Sequence, residues 1–212
     1  MARPRNAHSH ETRLRLLGVA RDLFASQGLD GVSIREIAAA GNVTGATVMH
    51  YFGNKDGLYE ACIDTLDGGL EGMREEVTAA IAGASDFDGA VEAAMRSVFQ
   101  LARRNQTAIK LLLRHVADTG EIGLARRENR LLPFLDMGAA LFAERTGQSP
   151  AELRLALQSL IFLVARWAVA SGREASAITG VRGASAAFQA IEDHLVVVAR
   201  RQLASVPAAR PA

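Results

Sequence analysis

The sequence predicts an all-α protein, on three observations. Alanine is abundant, and apolar residues make up 49 % of the 212 residues whereas aromatic residues make up 5 %. Apolar residues recur every three or four positions, which is the period of an amphipathic helix. Long alternating runs of Val, Ile and Thr are missing, and so are closely spaced hairpin turns, so the pattern does not favour strands. The chain is long enough for one or two domains with a substantial core.

The first predicted helix runs from Glu11 to Gln27, because Leu17, Ala20 and Phe24 recur on one face. The preceding residues 1–10 are polar and basic. Two interpretations of them stay open: an arm that reaches phosphates or the minor groove, or a solvated tail.

The most informative stretch runs from Ser33 to Lys55. Ser33 and Glu36 have the spacing of a capping box, which predicts the start of a short helix. Asn42 follows it in a tight turn, where asparagine can adopt the left-handed conformation that such a turn needs. Thr44 is a good N-cap for a second short helix. Two short helices joined in this way predict a helix-turn-helix.

The outward face of the second helix predicts contact with DNA. It carries small or hydrogen-bonding groups and no carboxylate: Thr44, Gly45, Thr47, His50 and Tyr51. Such a surface is suited to the major groove. The net charge of the chain is +1, but residues 1–55 contain seven Arg and Lys against four Asp and Glu. This balance fits a small sequence-specific module better than a protein that coats DNA by charge alone.

The remaining helices follow from the same signals. Asn54 caps a long helix that extends to about Ala82, in which Gly68, Gly69 and Gly72 indicate a bend or a soft point. Further helices are predicted from Ser85 or Asp86 to about Arg104, from Thr107 to Asp118, from near Leu132 to Arg145, from Ser149 to about Ser171 and from about Ala184 to Leu203. The segment Gly120–Arg130 is ambiguous. The segment Ser171–Gly183 is predicted to be a loop.

Several motifs occur at fixed spacing within residues 11–63. They are Ser33, Ile37-Ala38, Gly41–Thr44, Thr47–Met49, Tyr51-Phe52 and Lys55–Leu58. Together they resemble the TetR/AcrR family of bacterial transcription regulators. Asn42 stands where that family has glycine, Met49 where a tyrosine commonly touches phosphate, and Tyr51 where a histidine commonly does. The phosphate contacts are therefore expected to be rearranged.

The resemblance implies a helix-turn-helix domain with a basic arm, residues 1–56, and a larger helical effector-binding and dimerisation domain, residues 57–212, with about nine helices in all. It implies a cytoplasmic, ligand-responsive regulator, in the first place a repressor. This regulator would bind a palindromic double-stranded DNA operator as a homodimer through helices at about 149–171 and 184–203. An unidentified small molecule would release it, with no cofactor. The residues expected to face DNA are Ser33, Arg35, Thr44, Gly45, Ala46, Thr47, His50, Tyr51 and Lys55.

An effector pocket in such a protein would lie among the central helices. The candidate lining residues are Met73, Met95, Phe99, Leu111, Arg114, His115, Phe134, Met137, Arg166 and Trp167. For each of them plain core packing is the competing interpretation. Arg166 lies within an apolar helix, so we expect either an acidic ligand or a salt bridge, with Glu192 or Asp193 as partners.

Other classes of protein are poorly supported. Cys62 is the only cysteine, which excludes an intrachain disulfide, indicates a reducing compartment and predicts a buried thiol. The most apolar segment, Leu155–Ala170, is too short to span a bilayer comfortably. No phosphate-binding glycine loop and no zinc-type His/Cys spacing is present, so we predict no catalytic or metal site. The alternative function is an all-α enzyme or small-molecule carrier with a fortuitous helix-turn-helix-like segment.

Overall fold

The computed structural model describes residues 5–204, except for the side chains of residues 5–8, 66–74, 125 and 145. This part of the chain contains eleven α-helices and no strand, which confirms the predicted all-α class. The helices are α1 (Arg5–Gln27), α2 (Ile34–Ala40), α3 (Gly45–Phe52), α4 (Lys55–Ala82), α5 (Phe87–Arg104), α6 (Gln106–Thr119), α7 (Leu124–Arg126), α8 (Leu132–Thr146), α9 (Pro150–Ala168), α10 (Gly172–Thr179) and α11 (Ala184–Ala204), with a π-helical segment at Arg127–Leu131.

Helix α1 begins at Arg5, six residues before the predicted start at Glu11. No glycine or proline interrupts residues 5–17, so nothing in that stretch stops the helix from extending. The second half of the predicted tail is therefore helical. Residues 1–4, with Arg3, lie outside the described part, as do the side chains of Arg5 and His8.

Helix α10 lies in the segment that was predicted to be a loop. Ser171 is its N-cap and accepts a hydrogen bond from the amide of Glu174 at 3.1 Å. Gly180, with a φ of 70°, ends the helix in the left-handed conformation. The prediction gave too much weight to the Gly and Ser content of this segment and overlooked its S-x-x-E capping signal.

The described chain divides into two compact units. The N-terminal unit comprises the residues up to Gly69 together with Thr107–Glu121, and the C-terminal unit comprises Leu70–Gln106 together with the residues from Ile122 onward. The predicted boundary at residue 56 differs from this division because Leu58 and Cys62, in the first part of α4, are fully buried in the N-terminal core. Helix α4 is continuous across the change of unit after Gly69, within the glycine-rich stretch.

The core of the N-terminal unit is formed by α1, α2, α3, the first part of α4 and α6. The side chains of Phe24, Ile37, Val48, Leu58 and Leu111 are fully buried in one cluster. Phe24 also packs edge-on against Tyr59, with ring centroids 5.2 Å apart. This cluster holds α2 and α3 at a defined angle and leaves their opposite faces to solvent.

The C-terminal unit contains α5, α8, α9, α10 and α11, which pack on one another. Polar contacts connect α5 to α11: Arg96 lies 2.9 Å from Asp193, and Gln100 donates to the buried Glu192 at 2.9 Å. Arg103 on α5 donates to the carbonyls of Ala168 and Ala170 and stacks over the ring of Phe188. Its guanidinium therefore ties the end of α9 to α5 and α11.

None of the described helices is, by itself, long and apolar enough to cross a membrane. Helices α9 and α10 meet that criterion only when they are taken together, and the pair is bent by 113°.

Candidate nucleic-acid interface

Helix α2 begins with the predicted capping box. The Ser33 hydroxyl accepts from the Glu36 amide at 3.2 Å, and the Glu36 carboxylate accepts from the Ser33 amide at 2.7 Å. The Ser33 hydroxyl also donates to the same carboxylate at 2.7 Å. These hydrogen bonds, the one from the Ser33 side chain first, lower the pKa of Glu36 below its ordinary value. The box fixes the start of α2 by contacts three residues apart.

The turn between α2 and α3 depends on Asn42. This residue has a φ of 52°, and it is the only described residue other than glycine with a positive φ. Its amide donates to the carbonyl of Ala39 at 3.1 Å, and the Val43 amide donates to the carbonyl of Ala38 at 2.9 Å. The predicted left-handed asparagine turn is confirmed. The close approach of α1 matters too, because a Cβ on the buried Gly41 would lie 2.6 Å from the Leu16 side chain.

Helix α3 presents a short outward face. Thr44 is the N-cap and accepts from the Thr47 amide at 3.2 Å, while Val48 anchors the opposite side in the core. The exposed residues on the outward side are Thr44, Ala46, Met49 and His50, and Gly45 and Thr47 are half-buried. No carboxylate lies on this helix. Its face can therefore approach the major groove of DNA without repelling the phosphates.

Residues 16–62, which run from α1 into α4, match the model of the tetR family of bacterial regulatory proteins. Over 59 residues the chain is 39 % identical to the HTH-type transcriptional regulator AcrR of Shigella flexneri, a match that covers 28 % of this chain. The N-terminal region therefore contains a DNA-binding domain of the tetR type. The match spans 27 % of the length of AcrR, so it concerns the helix-turn-helix region.

Solved structures resemble a larger part of the chain. The regulator SCO4454 from Streptomyces coelicolor is 26 % identical and has a TM-score of 0.61, with 92 % of this chain and 97 % of that chain covered. AibR, solved in complex with isovaleryl coenzyme A and operator DNA, is 20 % identical with a TM-score of 0.63, over 87 % of this chain and 96 % of that chain. The second similarity shows a shared fold.

Tyr51 and Lys55, which are among the residues expected to face DNA, have hydrogen-bond partners within the protein, as Ser33 does. The Tyr51 hydroxyl donates to the Ser9 hydroxyl on α1 at 3.1 Å, and the Lys55 ammonium donates to the carbonyl of Leu29 at 3.0 Å. Arg13 on α1 lies over the ring of Phe52, 5.4 Å from its centroid. Ser9 and Arg13 had not been singled out from the sequence, since each is about forty residues from its partner. Both are exposed, as is Arg35 on α2.

Three of the candidate effector-pocket residues lie on α6 and belong to the N-terminal unit. Leu111 is fully buried in its core. The Arg114 guanidinium lies against Gly28 at the end of α1, where a Cβ would be 3.2 Å from it. The buried His115 packs near Tyr59, with ring centroids 5.8 Å apart, and its Nδ1 has no hydrogen-bond partner among the described residues.

The other candidates lie in the C-terminal unit. Met95 and Phe99 are buried on α5, whereas Phe134, Met137 and Trp167 are half-buried. The side chain of Met73 lies outside the described part.

The predicted partners of Arg166 were wrong. Its guanidinium is exposed and pairs with Glu174 on α10, whereas Asp193 and Glu192 contact Arg96. The partner was missed because α10 had been predicted as a loop.

Proposed function

We propose that this protein is a ligand-responsive transcriptional repressor of the TetR family. It binds a palindromic operator as a homodimer and leaves it when a small molecule binds. The observation that carries this proposal is the outward face of α3, which is exposed, lacks carboxylates and directly follows a left-handed turn. Binding to operator DNA locates such a protein in the cytoplasm, at the nucleoid.

In this proposal the contacts divide between bases and backbone. Residues from Thr44 to Thr47, with His50, face the base edges, and Ser33, Arg35, Tyr51 and Lys55 lie toward the phosphate backbone. The internal hydrogen bond of Lys55 is compatible with this role, because an ammonium has three donors and Leu29 accepts only one. The Tyr51 hydroxyl donates its hydrogen bond to Ser9, so in this proposal Tyr51 acts through the Ser9 hydroxyl, which donates to the phosphate.

The proposed dimer forms through α9 and α11, which would place two copies of α3 in successive major grooves roughly 34–36 Å apart. Support comes from large apolar side chains that the described chain leaves exposed on these helices. Leu155 and Phe162, seven residues apart on one face of α9, are 72 % and 41 % exposed, and Val197 on α11 is 42 % exposed. An isologous contact would remove this apolar surface from water.

The proposed effector binds in the C-terminal unit, for which the retained candidate residues are Met95, Phe99, Phe134, Met137 and Trp167. AibR supports this part of the proposal, since a chain of similar fold was solved with both a coenzyme A ester and operator DNA. A complete switch requires the effector to favour the released state by about 5.5 kcal/mol. Helix α4, which is continuous from Lys55 to Ala82, is the proposed transmitter through Gly68, Gly69 and Gly72.

Selection of bound duplexes from a random DNA pool, followed by a mobility shift on the DNA upstream of the protein's own gene, tests DNA binding. We expect an inverted repeat with half-sites about one helical turn apart. Folded protein that retains no preferred sequence at low salt would refute the proposal.

Lys55→Ala tests the backbone contact. Loss of one phosphate contact per subunit should lower the slope of log K against log salt by about 0.9 for each site. Lys110→Ala is the matched control, because Lys110 is exposed on α6 in the same unit, and it should leave the slope unchanged. An unchanged slope in Lys55→Ala would remove Lys55 from the interface.

Sedimentation equilibrium of the full chain tests the dimer. Wild-type protein should sediment as a dimer, and Phe162→Glu should sediment as a monomer because a carboxylate would be buried at the contact. A monomeric wild-type protein would contradict the dimer. A thermal-shift screen of small apolar and acidic compounds then searches for the effector, and a compound that raises Tm must also release the operator.

A further inference from the structure

Two of the exposed side chains on α3, those of Ala46 and Met49, are apolar. The Thr44 and Thr47 hydroxyls are 3.0 Å apart and bonded to each other, and Thr44 also accepts from the Thr47 amide. These bonds occupy part of the hydrogen-bonding capacity of the two hydroxyls. On α3 itself the exposed side chains of this face are those of Ala46, Met49 and His50.

These three side chains share one face of the helix, because residues three and four apart are neighbours on a helix surface. Met49 is 44 % exposed, although it is a large apolar residue in a chain that buries most of the others of its size.

The residue types that α3 lacks are equally informative. Gly45–Phe52 contains no Arg or Lys, which contact guanine, no Asn or Gln, which contact adenine, and no Asp or Glu, which accept from cytosine. Thr47 and His50 can still form hydrogen bonds to base edges, but the one direct contact open to the apolar side chains of Ala46 and Met49 is with the 5-methyl group of thymine. That group is the only apolar feature that distinguishes a base edge there. Met is unbranched and polarisable, so its thioether can adapt to such a methyl group.

We infer that Ala46 and Met49 recognise thymine methyl groups, so that this protein selects A·T pairs in each half-site by van der Waals contact. The inference rests on the proposed function, since it requires that α3 enters the major groove. The Met49 side chain cannot donate a hydrogen bond to a phosphate. In this arrangement it contributes to base specificity instead.

Deoxyuridine provides the direct test, because a uracil–adenine pair keeps every hydrogen-bonding group of a thymine–adenine pair and lacks only the methyl group. The selected operator is synthesised with uracil in place of thymine, one position at a time in both half-sites, and the affinity of the full-length protein is measured. Burial of one methyl group contributes about 0.8 kcal/mol, which is about fourfold in affinity. Substitution in both half-sites should therefore weaken binding by roughly 15-fold at a contacted position.

Two variants assign the effect to Met49. Met49→Ala should bind the thymine operator more weakly and should respond less than about twofold to uracil at the position that Met49 contacts. Met49→Leu conserves the apolar volume and should keep the response. Leu14→Ala is the matched control, because Leu14 is also apolar, is 51 % exposed and lies in the same unit. It should show the full response of the wild type.

The outcomes separate this inference from the proposed function. Specific binding that changes less than twofold with uracil at every thymine of the half-site overturns the inference and leaves the proposed function standing. A full uracil response in Met49→Ala overturns the assignment to Met49. Failure to select any preferred sequence refutes the proposed function, and the inference with it.

Discussion

Replacing Leu111 by alanine tests whether α6 belongs to the core of the helix-turn-helix unit. Leu111 is fully buried in the cluster that contains Phe24, Ile37 and Val48. Leucine-to-alanine changes in closed cores reduce stability by about 2–5 kcal/mol, because contacts are lost and a cavity remains. Since 1.4 kcal/mol corresponds to a factor of ten, amide exchange limited by opening of this unit should accelerate by roughly 30-fold to a few thousandfold.

Hydrogen–deuterium exchange read by mass spectrometry locates this effect along the chain. Peptides from α1 and α2 should exchange faster in Leu111→Ala, whereas peptides from α9 and α11 should change little. Leu14→Ala makes the same chemical change at an exposed position of the same unit, and its peptides should stay within about 0.5 kcal/mol of the wild type. Faster exchange confined to α9 and α11 would refute the assignment of Leu111 to the N-terminal core.

Three further predictions concern single residues of the N-terminal unit. Asn42→Val should lower the free energy of unfolding by about 1–2 kcal/mol, because a β-branched residue is strained at a φ of 52°, whereas Asn42→Gly should not; equal losses in urea titrations would contradict this. Cys62 should not react with Ellman's reagent at pH 8 until the protein is unfolded in guanidinium, because burial raises the pKa of its thiol to about 12; rapid reaction of the native protein would refute it. The pKa of Glu36 is lowered in the folded protein, so the ionised carboxylate stabilises the fold. This contribution is fully present above pH 4.5, the ordinary pKa of the group, and is lost as the pH falls through the lowered pKa. Glu36→Gln should therefore lose less stability than the wild type on acidification. If acid titrations showed that the two proteins lose the same unfolding free energy as the pH falls, the prediction would be contradicted.

The helix-turn-helix was predictable because its decisive contacts are local. Ser33 and Glu36 are three residues apart, and Thr44 caps α3 through Thr47 at the same separation. The left-handed turn depends on a single asparagine. Signals of this kind are carried by residue type and spacing alone, and they do not depend on how the rest of the chain is packed.

What escaped prediction depends on contacts between distant positions. Tyr51 and Ser9 are separated by 42 residues, and Lys55 and Leu29 by 26. The apolar stripe of α6 indicated which face is buried but contained nothing to say which helices cover it. Leu111 was therefore placed with the effector candidates on the basis of sequence position. Only Glu174 had a local signal that was overlooked, its capping contact with Ser171.

The N-terminal unit is built from two separate stretches of chain, with Leu70–Gln106 between them belonging to the other unit. During synthesis the ribosome therefore releases α1, α2 and α3 well before the helix that completes their core. The unit cannot finish folding until residue 121 has emerged, more than half-way along the 212 residues. Domains usually fold in the order in which they are made. Here the core surface that Leu111 covers stays exposed to solvent in the nascent helix-turn-helix while α5 is translated.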